Sequence, residues 1–158
     1  MVTTETERKF LAASTAVDLG GAGEELRQGY LADDGEVSVR VRIAPTAATL
    51  TVKAGRGLTR TEVETALTGD QAEALWPLTV GRRIHKHRYL VPLAGGLVAE
   101  VDRYHGDLDG LHTVEVEFAD ESAAAAFVPP PWFGDELTGD ARWTNAALAR
   151  HGRPRSTT

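Results

Sequence analysis

Charged residues recur at every second position along most of this chain, and that pattern constrains its fold more than any other feature. Glu5, Glu7 and Lys9 stand at i, i+2 and i+4, which places three charges on one side of an extended strand. Arg40 and Arg42 repeat the spacing, with Val37, Val39, Val41 and Ile43 between and around them. Lys53 shares a face with Thr49 and Thr51; Arg60, Glu62 and Glu64 align; so do Lys86 and Arg88, Glu100 and Asp102, and Glu115 and Glu117. Alternation of this kind predicts strands over 3–11, 26–32, 36–44, 47–54, 60–67, 81–92, 97–106 and 112–119. Turn residues separate them, as at Asp33-Asp34-Gly35, Gly55-Arg56-Gly57, Gly95-Gly96 and Asp109-Gly110. Three helices are expected: one capped at Thr68 and running to about Leu78, one from Asp120 to Phe127, and one capped by Asp140 over Ala141–His151. Pro129-Pro130-Pro131 reads as a rigid connector between the second and third.

A sheet with one apolar and one charged face is usually solvated on the charged side. Here the signs argue otherwise. Acids gather on strands one, five, seven and eight, and bases on strands three, four and six, whereas a solvated face intersperses them. If the eight strands close into a barrel, the charged faces can line its lumen, with acids on one wall and bases on the other. Such a lumen suits a multivalent anion bridged to divalent cations. Carboxylates are natural ligands of Mg²⁺ and Mn²⁺, and Arg and Lys neutralise phosphate oxygens.

Composition narrows the alternatives. The 158 residues contain no cysteine, which removes disulfides, thiolate zinc sites, Fe–S clusters and a cysteine nucleophile. With 17 basic and 23 acidic side chains the net charge is −6, a poor start for nucleic-acid binding. The polar first residues do not resemble a targeting peptide, and no apolar run approaches ~18 residues. The expectation is a cytoplasmic single domain with no membrane partner.

The ExExK run Glu5-Thr6-Glu7-Arg8-Lys9 resembles the signature of the CYTH superfamily, the triphosphate tunnel metalloenzymes. Gln28-Gly29-Tyr30-Leu31, Val39-Arg40-Val41-Arg42, Leu50-Thr51-Val52-Lys53, Arg60-Thr61-Glu62-Val63-Glu64, Lys86-His87-Arg88-Tyr89, Glu100-Val101-Asp102 and Val114-Glu115-Val116-Glu117 follow in the family's order. So does Gly139-Asp140-Ala141-Arg142-Trp143-Thr144-Asn145, where many members carry Tyr at the place of Trp143. The resemblance implies a domain over 1–151, with 152–158 a frayed tail. It also implies an α+β, mainly antiparallel fold: a closed eight-stranded tunnel with a few flanking helices. The compact length and the run from Ile84 to Val91 look most like the short bacterial members that hydrolyse tripolyphosphate.

The resemblance also implies roles. Glu5, Glu7, Glu115 and Glu117 become candidate ligands for Mg²⁺ or Mn²⁺, with Glu62, Glu64, Glu100 and Asp102 as second-site ligands or as counter-ions that orient the bases. Lys9, Arg40, Arg42, Lys53, Arg60 and Arg88 become candidate phosphate ligands. Glu5, Glu7, Glu117 and Lys86 are expected at the chemistry, Lys86 positioning the attacking water or binding phosphate. His85 and His87, of opposite parity to Lys86, should form a surface pair, with an HxH zinc site as the alternative, and Arg8 and Arg103 should be solvated. Tyr30 can lean on substrate or simply pack. The leading expectation is metal-dependent hydrolysis of inorganic triphosphate, a small-molecule substrate. Thiamine or nucleoside triphosphate hydrolysis, adenylate cyclisation of the class IV type, and non-catalytic polyphosphate or nucleotide binding stay open, as does a homodimer.

Overall fold

The computed structural model describes residues 1–13 and 18–155. Eight strands form a ring: β1 (Val2–Ala12), β2 (Glu24–Asp33), β3 (Val37–Ile43), β4 (Ala48–Ala54), β5 (Thr59–Leu67), β6 (Arg83–Pro92), β7 (Val98–Tyr104) and β8 (His112–Phe118). Their order is β5-β4-β3-β2-β6-β7-β8-β1, and pairing of β1 with β5 closes the barrel. Every pairing is antiparallel. β1 is shared between neighbours: Val2–Thr6 pair with β5, and Thr6–Leu11 pair with β8 along the other edge.

The edge of β1 that β5 leaves free is taken by a ninth strand, β9 (Phe133–Glu136), through Phe10↔Glu136 and Ala12↔Phe133. This corrects the expected helix-to-helix connector, because the prolines lead into an edge strand. Four residues are too few to show alternation, so the pairing partner rather than the local pattern makes β9 a strand.

The helices are short. Thr68 closes a capping box with Gln71 ahead of α1 (Gly69–Leu75), and Pro77 turns the chain into a 3-10 turn over Trp76–Thr79. That turn seats on the outer face of β2 at Gly29, where a Cβ would come within 2.4 Å of the Thr79 hydroxyl. Only glycine allows the approach. Asp120 caps α2 (Glu121–Ala126). The single helix expected over 141–151 is two pieces, a 3-10 turn at Ala141–Trp143 and α3 (Asn145–His151). Thr144 is extended, and its hydroxyl accepts from the Ala147 N–H, so it ends one helix and caps the next. Residues 152–155 continue without regular structure; 156–158 of the expected frayed tail lie outside the described residues. No helix among the described residues is long and apolar enough to cross a membrane.

The main apolar core lies outside the ring. Phe10, Val101, Val114, Val116 and Phe118 project from the outer faces of β1, β7 and β8 and are covered by α2 and β9. Phe10 meets Phe133 edge-on at 5.0 Å, and burial of each such side chain contributes roughly 1.5–3 kcal/mol. Arg8 holds this layer shut. Its guanidinium donates to Glu136 at 2.7 and 2.8 Å and to the carbonyls of Ala124 and Phe127 at 2.9 and 3.0 Å. The expectation of a solvated Arg8 is therefore corrected: two carbonyls at the end of α2 and the Glu136 carboxylate of β9 converge on it.

One end of the lumen is filled. Ile84, Tyr104 and Leu111 lie on inward faces and pack with Leu148 of α3, flanked by Leu11 and Trp143. The Tyr104 hydroxyl donates to Asn145 Oδ1 at 2.6 Å, which anchors the helix across the opening.

Candidate active site

The ring order turns the segregation of signs along the sequence into two walls. Strands β4, β3, β2 and β6 are contiguous and carry most of the bases; β7, β8, β1 and β5 are contiguous and carry the acids. They enclose a cavity of about 490 Å³. Of the fifteen side chains expected in the lumen, thirteen line it: Glu5, Glu7, Lys9, Arg40, Arg42, Lys53, Arg60, Glu62, Glu64, Arg88, Glu100, Glu115 and Glu117. Tyr30, Trp143 and Asn145 line it as well.

Where the walls meet, opposite charges pair. At the β4–β5–β1 seam, Lys53 Nζ contacts Glu5 at 2.8 Å and Glu62 at 3.1 Å. Arg60 binds Glu7 and stands 3.8 Å from Glu5. The Thr51 hydroxyl donates to Glu64 at 3.1 Å. At the β6–β7 seam, Arg88 is bidentate on Asp102, with Nε to Oδ1 and Nη2 to Oδ2 both at 2.8 Å, and it also binds Glu100. Lys9 sits 3.2 Å from Glu115.

Lys86 and Asp102 are the two exceptions to the expected lining. Both side chains are fully buried, 2.6 Å apart, and neither reaches the cavity. Lys86 lies beside Tyr104 at the plugged end, its ammonium 5.7 Å from the ring centroid. The structure therefore places Lys86 apart from the cavity in which it was expected to position water or touch phosphate. Lys86 shares the Asp102 carboxylate with Arg88, the two meeting at Oδ2, which helps fix the arginine that does face the cavity. Asp102 is correspondingly a counter-ion and not a ligand candidate; although burial raises it, Arg88 and Lys86 bring its carboxyl below the usual range. The same contest, burial against Lys9, Arg88 and Lys86, leaves Glu115 well below it.

Toward the middle of each wall like charges crowd together: Glu7 keeps Arg60 as its one basic contact, and Glu117 has no basic partner among the described residues. Glu7 and Glu117 face each other across the β1–β8 pairing. Glu5, Glu7 and Glu117 present carboxylate oxygens within 4.8 Å of one another. Burial, with the charges of Glu115 and Glu5, pushes the Glu7 carboxyl up to about 7 in spite of Arg60. Burial, then the hydrogen bond and charge of Glu5, push Glu117 up to about 7. Although burial raises it, Lys53 and Arg60 bring the Glu5 carboxyl below its ordinary value. Three hard oxygen donors that must otherwise share protons fit a small divalent cation.

Opposite them, Arg40 and Arg42 on β3 form no ion pair among the described residues. Arg42 Nε donates to Gln28 at 3.1 Å. Arg40 is 7% exposed, and its buried Nε has no partner. Burial, then the charges of Arg40 and Arg88, lower the Arg42 guanidinium to about 10. Uncompensated buried guanidinium is costly, and an anion between Arg40 and Arg42 relieves that cost.

No family model matches the chain. It is 47% identical over 147 residues to an inorganic triphosphatase of Nitrosomonas europaea, covering 92% of this chain and 97% of that one. It is 37% identical to an inorganic triphosphatase of Acetivibrio thermocellus, covering 93% and 94%. The crystal structure of the inorganic triphosphatase NE1496 superposes with a TM-score of 0.69 at 44% identity, covering 95% of this chain and 96% of that one. With that likeness extending over nearly the whole of each relative and the charged tunnel in place, the chain belongs to the inorganic triphosphatase group of the CYTH superfamily, the triphosphate tunnel metalloenzymes.

Proposed function

We propose that the protein hydrolyses inorganic triphosphate to pyrophosphate and phosphate with the help of Mg²⁺ or Mn²⁺. The observation that carries this reading is the pairing of two unbalanced wall centres across one cavity. Clustered carboxylates at Glu5, Glu7 and Glu117 face guanidinium groups at Arg40 and Arg42 that lack an anion. The names of the two curated relatives support the same substrate.

In this reading Arg40 and Arg42 take the phosphate oxygens, with Lys9 and Arg88 extending the row. Binding draws Lys53 and Arg60 from Glu5 and Glu7 onto the anion, which frees those carboxylates. Glu5, Glu7 and Glu117, with Glu115 beside them, would hold the cation, which offsets phosphate charge and acidifies water. The bond formed joins a water oxygen to the terminal phosphorus, the bond broken is its bridge to the neighbouring phosphate, and pyrophosphate leaves. The water's proton passes to the acidic wall.

Phosphate release from tripolyphosphate, pyrophosphate, ATP and thiamine triphosphate, each with Mg²⁺, Mn²⁺ or EDTA, tests the reading. Tripolyphosphate with metal should be fastest, pyrophosphate poor, and EDTA should abolish turnover. Equal rates for ATP and tripolyphosphate would make the enzyme nucleotide-directed, and cyclic AMP from ATP would make it a cyclase.

A further inference from the structure

The outer face of β6 carries His85 and His87, and the chain just beyond β7 brings His105 against them. His87 Nδ1 lies 2.7 Å from His105 Nε2. The His85 ring is centred 4.8 Å from that of His105 and 6.0 Å from that of His87. Its Nε2 meets Glu25 of β2 at 3.0 Å, and Glu25 is the direct cross-strand partner of His87. Three of the five histidines in the chain thus converge on one spot. The backbone fixes the convergence, because the His105 N–H donates to the His85 carbonyl at 2.9 Å. Two nearby arginines turn away: Arg103 lies over Tyr89 and Arg27 over Trp76, at 5.3 and 5.7 Å from the ring centroids.

We propose that His87 and His105, completed by His85 and Glu25, form a site for a nitrogen-preferring divalent cation of the Zn²⁺ class on the outside of the barrel. Two nitrogens on one tetrahedral zinc, each ~2.0–2.1 Å from the metal, stand roughly 3.3 Å apart. The His87–His105 pair therefore needs to open by roughly 0.6 Å. A rotation of the half-exposed His85 ring turns a third nitrogen to the same point, and Glu25 supplies a carboxylate oxygen beside it. Imidazole donors suit zinc, copper and nickel, whereas oxygen donors alone suit magnesium and manganese. The two faces of the barrel wall thus sort cations by ligand chemistry. The outer site does not depend on the reading of the tunnel, since β6 and β7 send alternate residues to opposite faces.

The test is zinc retention by the untagged full chain after dialysis in a large excess of Mg²⁺, which keeps zinc off the carboxylates. The wild type should keep about one zinc per chain. A His87→Ala/His105→Ala variant should lose at least ~10-fold in affinity, with an unchanged melting curve in Mg²⁺ alone. A Glu5→Gln variant should keep its zinc. In the wild type, the Cu²⁺ electron paramagnetic resonance spectrum should show coupling to imidazole nitrogens. Equal zinc retention by wild type and double variant, loss of zinc in Glu5→Gln, or an oxygen-only copper signal would overturn the site.

Discussion

The seams of the tunnel and the centres of its walls use the same residue types to opposite ends. At the β6–β7 seam, Lys86 and Arg88 share the Asp102 carboxylate, and two of the three never see the cavity. In the wall centres, Glu7 faces Glu117 and Arg40 stands near Arg42, so like charges crowd together. Removing charge should therefore destabilise the fold at a seam, and relieve it at a centre while removing function.

The largest effect should come from breaking the seam. Asp102→Ala leaves the fully buried Lys86 without a carboxylate and Arg88 with only Glu100 and Glu115, at a cost of about 3–5 kcal/mol. Thermal melting should drop on the order of 10 °C. A change within a degree or two would show that the seam is not structural.

Breaking a wall centre should reverse that outcome. Glu7→Gln keeps the side-chain shape and removes a charge that the fold does not want. Melting should stay level or rise, while tripolyphosphate hydrolysis falls by at least ~100-fold, equivalent to about 2.7 kcal/mol in the barrier. Normal turnover at saturating Mg²⁺ would remove Glu7 from the site.

A smaller effect sharpens the same contrast through pH. Glu7 and Glu117 titrate near 7 in the folded protein against 4.5 for an ordinary glutamate. Between those values the native state binds more protons than the unfolded chain, so their contribution makes stability fall as pH rises. Melting from pH 5 to 7 in EDTA should show a downward slope that is weaker in Glu7→Gln/Glu117→Gln. Identical slopes would mean that the two carboxyls are not shifted.

Much of this was legible in the sequence because strand alternation records which face a residue occupies. All eight barrel strands begin and end within two residues of their expected limits, and the sorting of acids and bases by strand became two walls once the ring closed. Alternation does not record depth. Lys86 has the parity of Arg88, yet it sits at the level of Leu26 and Tyr104, where α3 closes the lumen, so parity alone put it in the cavity. The role of Arg8 was hidden for a related reason: its acceptors come from residues 124, 127 and 136, more than a hundred positions away. The histidine cluster needed the β6–β7 pairing to bring His105 against His85 and His87, and alternation within one segment does not record which strands pair.

The central claim is that the unpartnered guanidiniums of Arg40 and Arg42 define the anion site. The most direct measurement is the thermal shift produced by tripolyphosphate in metal-free buffer, where no turnover is expected. At a hundredfold excess over its dissociation constant the ligand should stabilise the wild type by about 2.7 kcal/mol, a rise of several degrees at roughly 2–4 °C per kcal/mol. Sulfate at equal ionic strength should give much less, and the shift should be lost in Arg40→Ala/Arg42→Ala. Equal shifts in wild type and double variant would contradict the account.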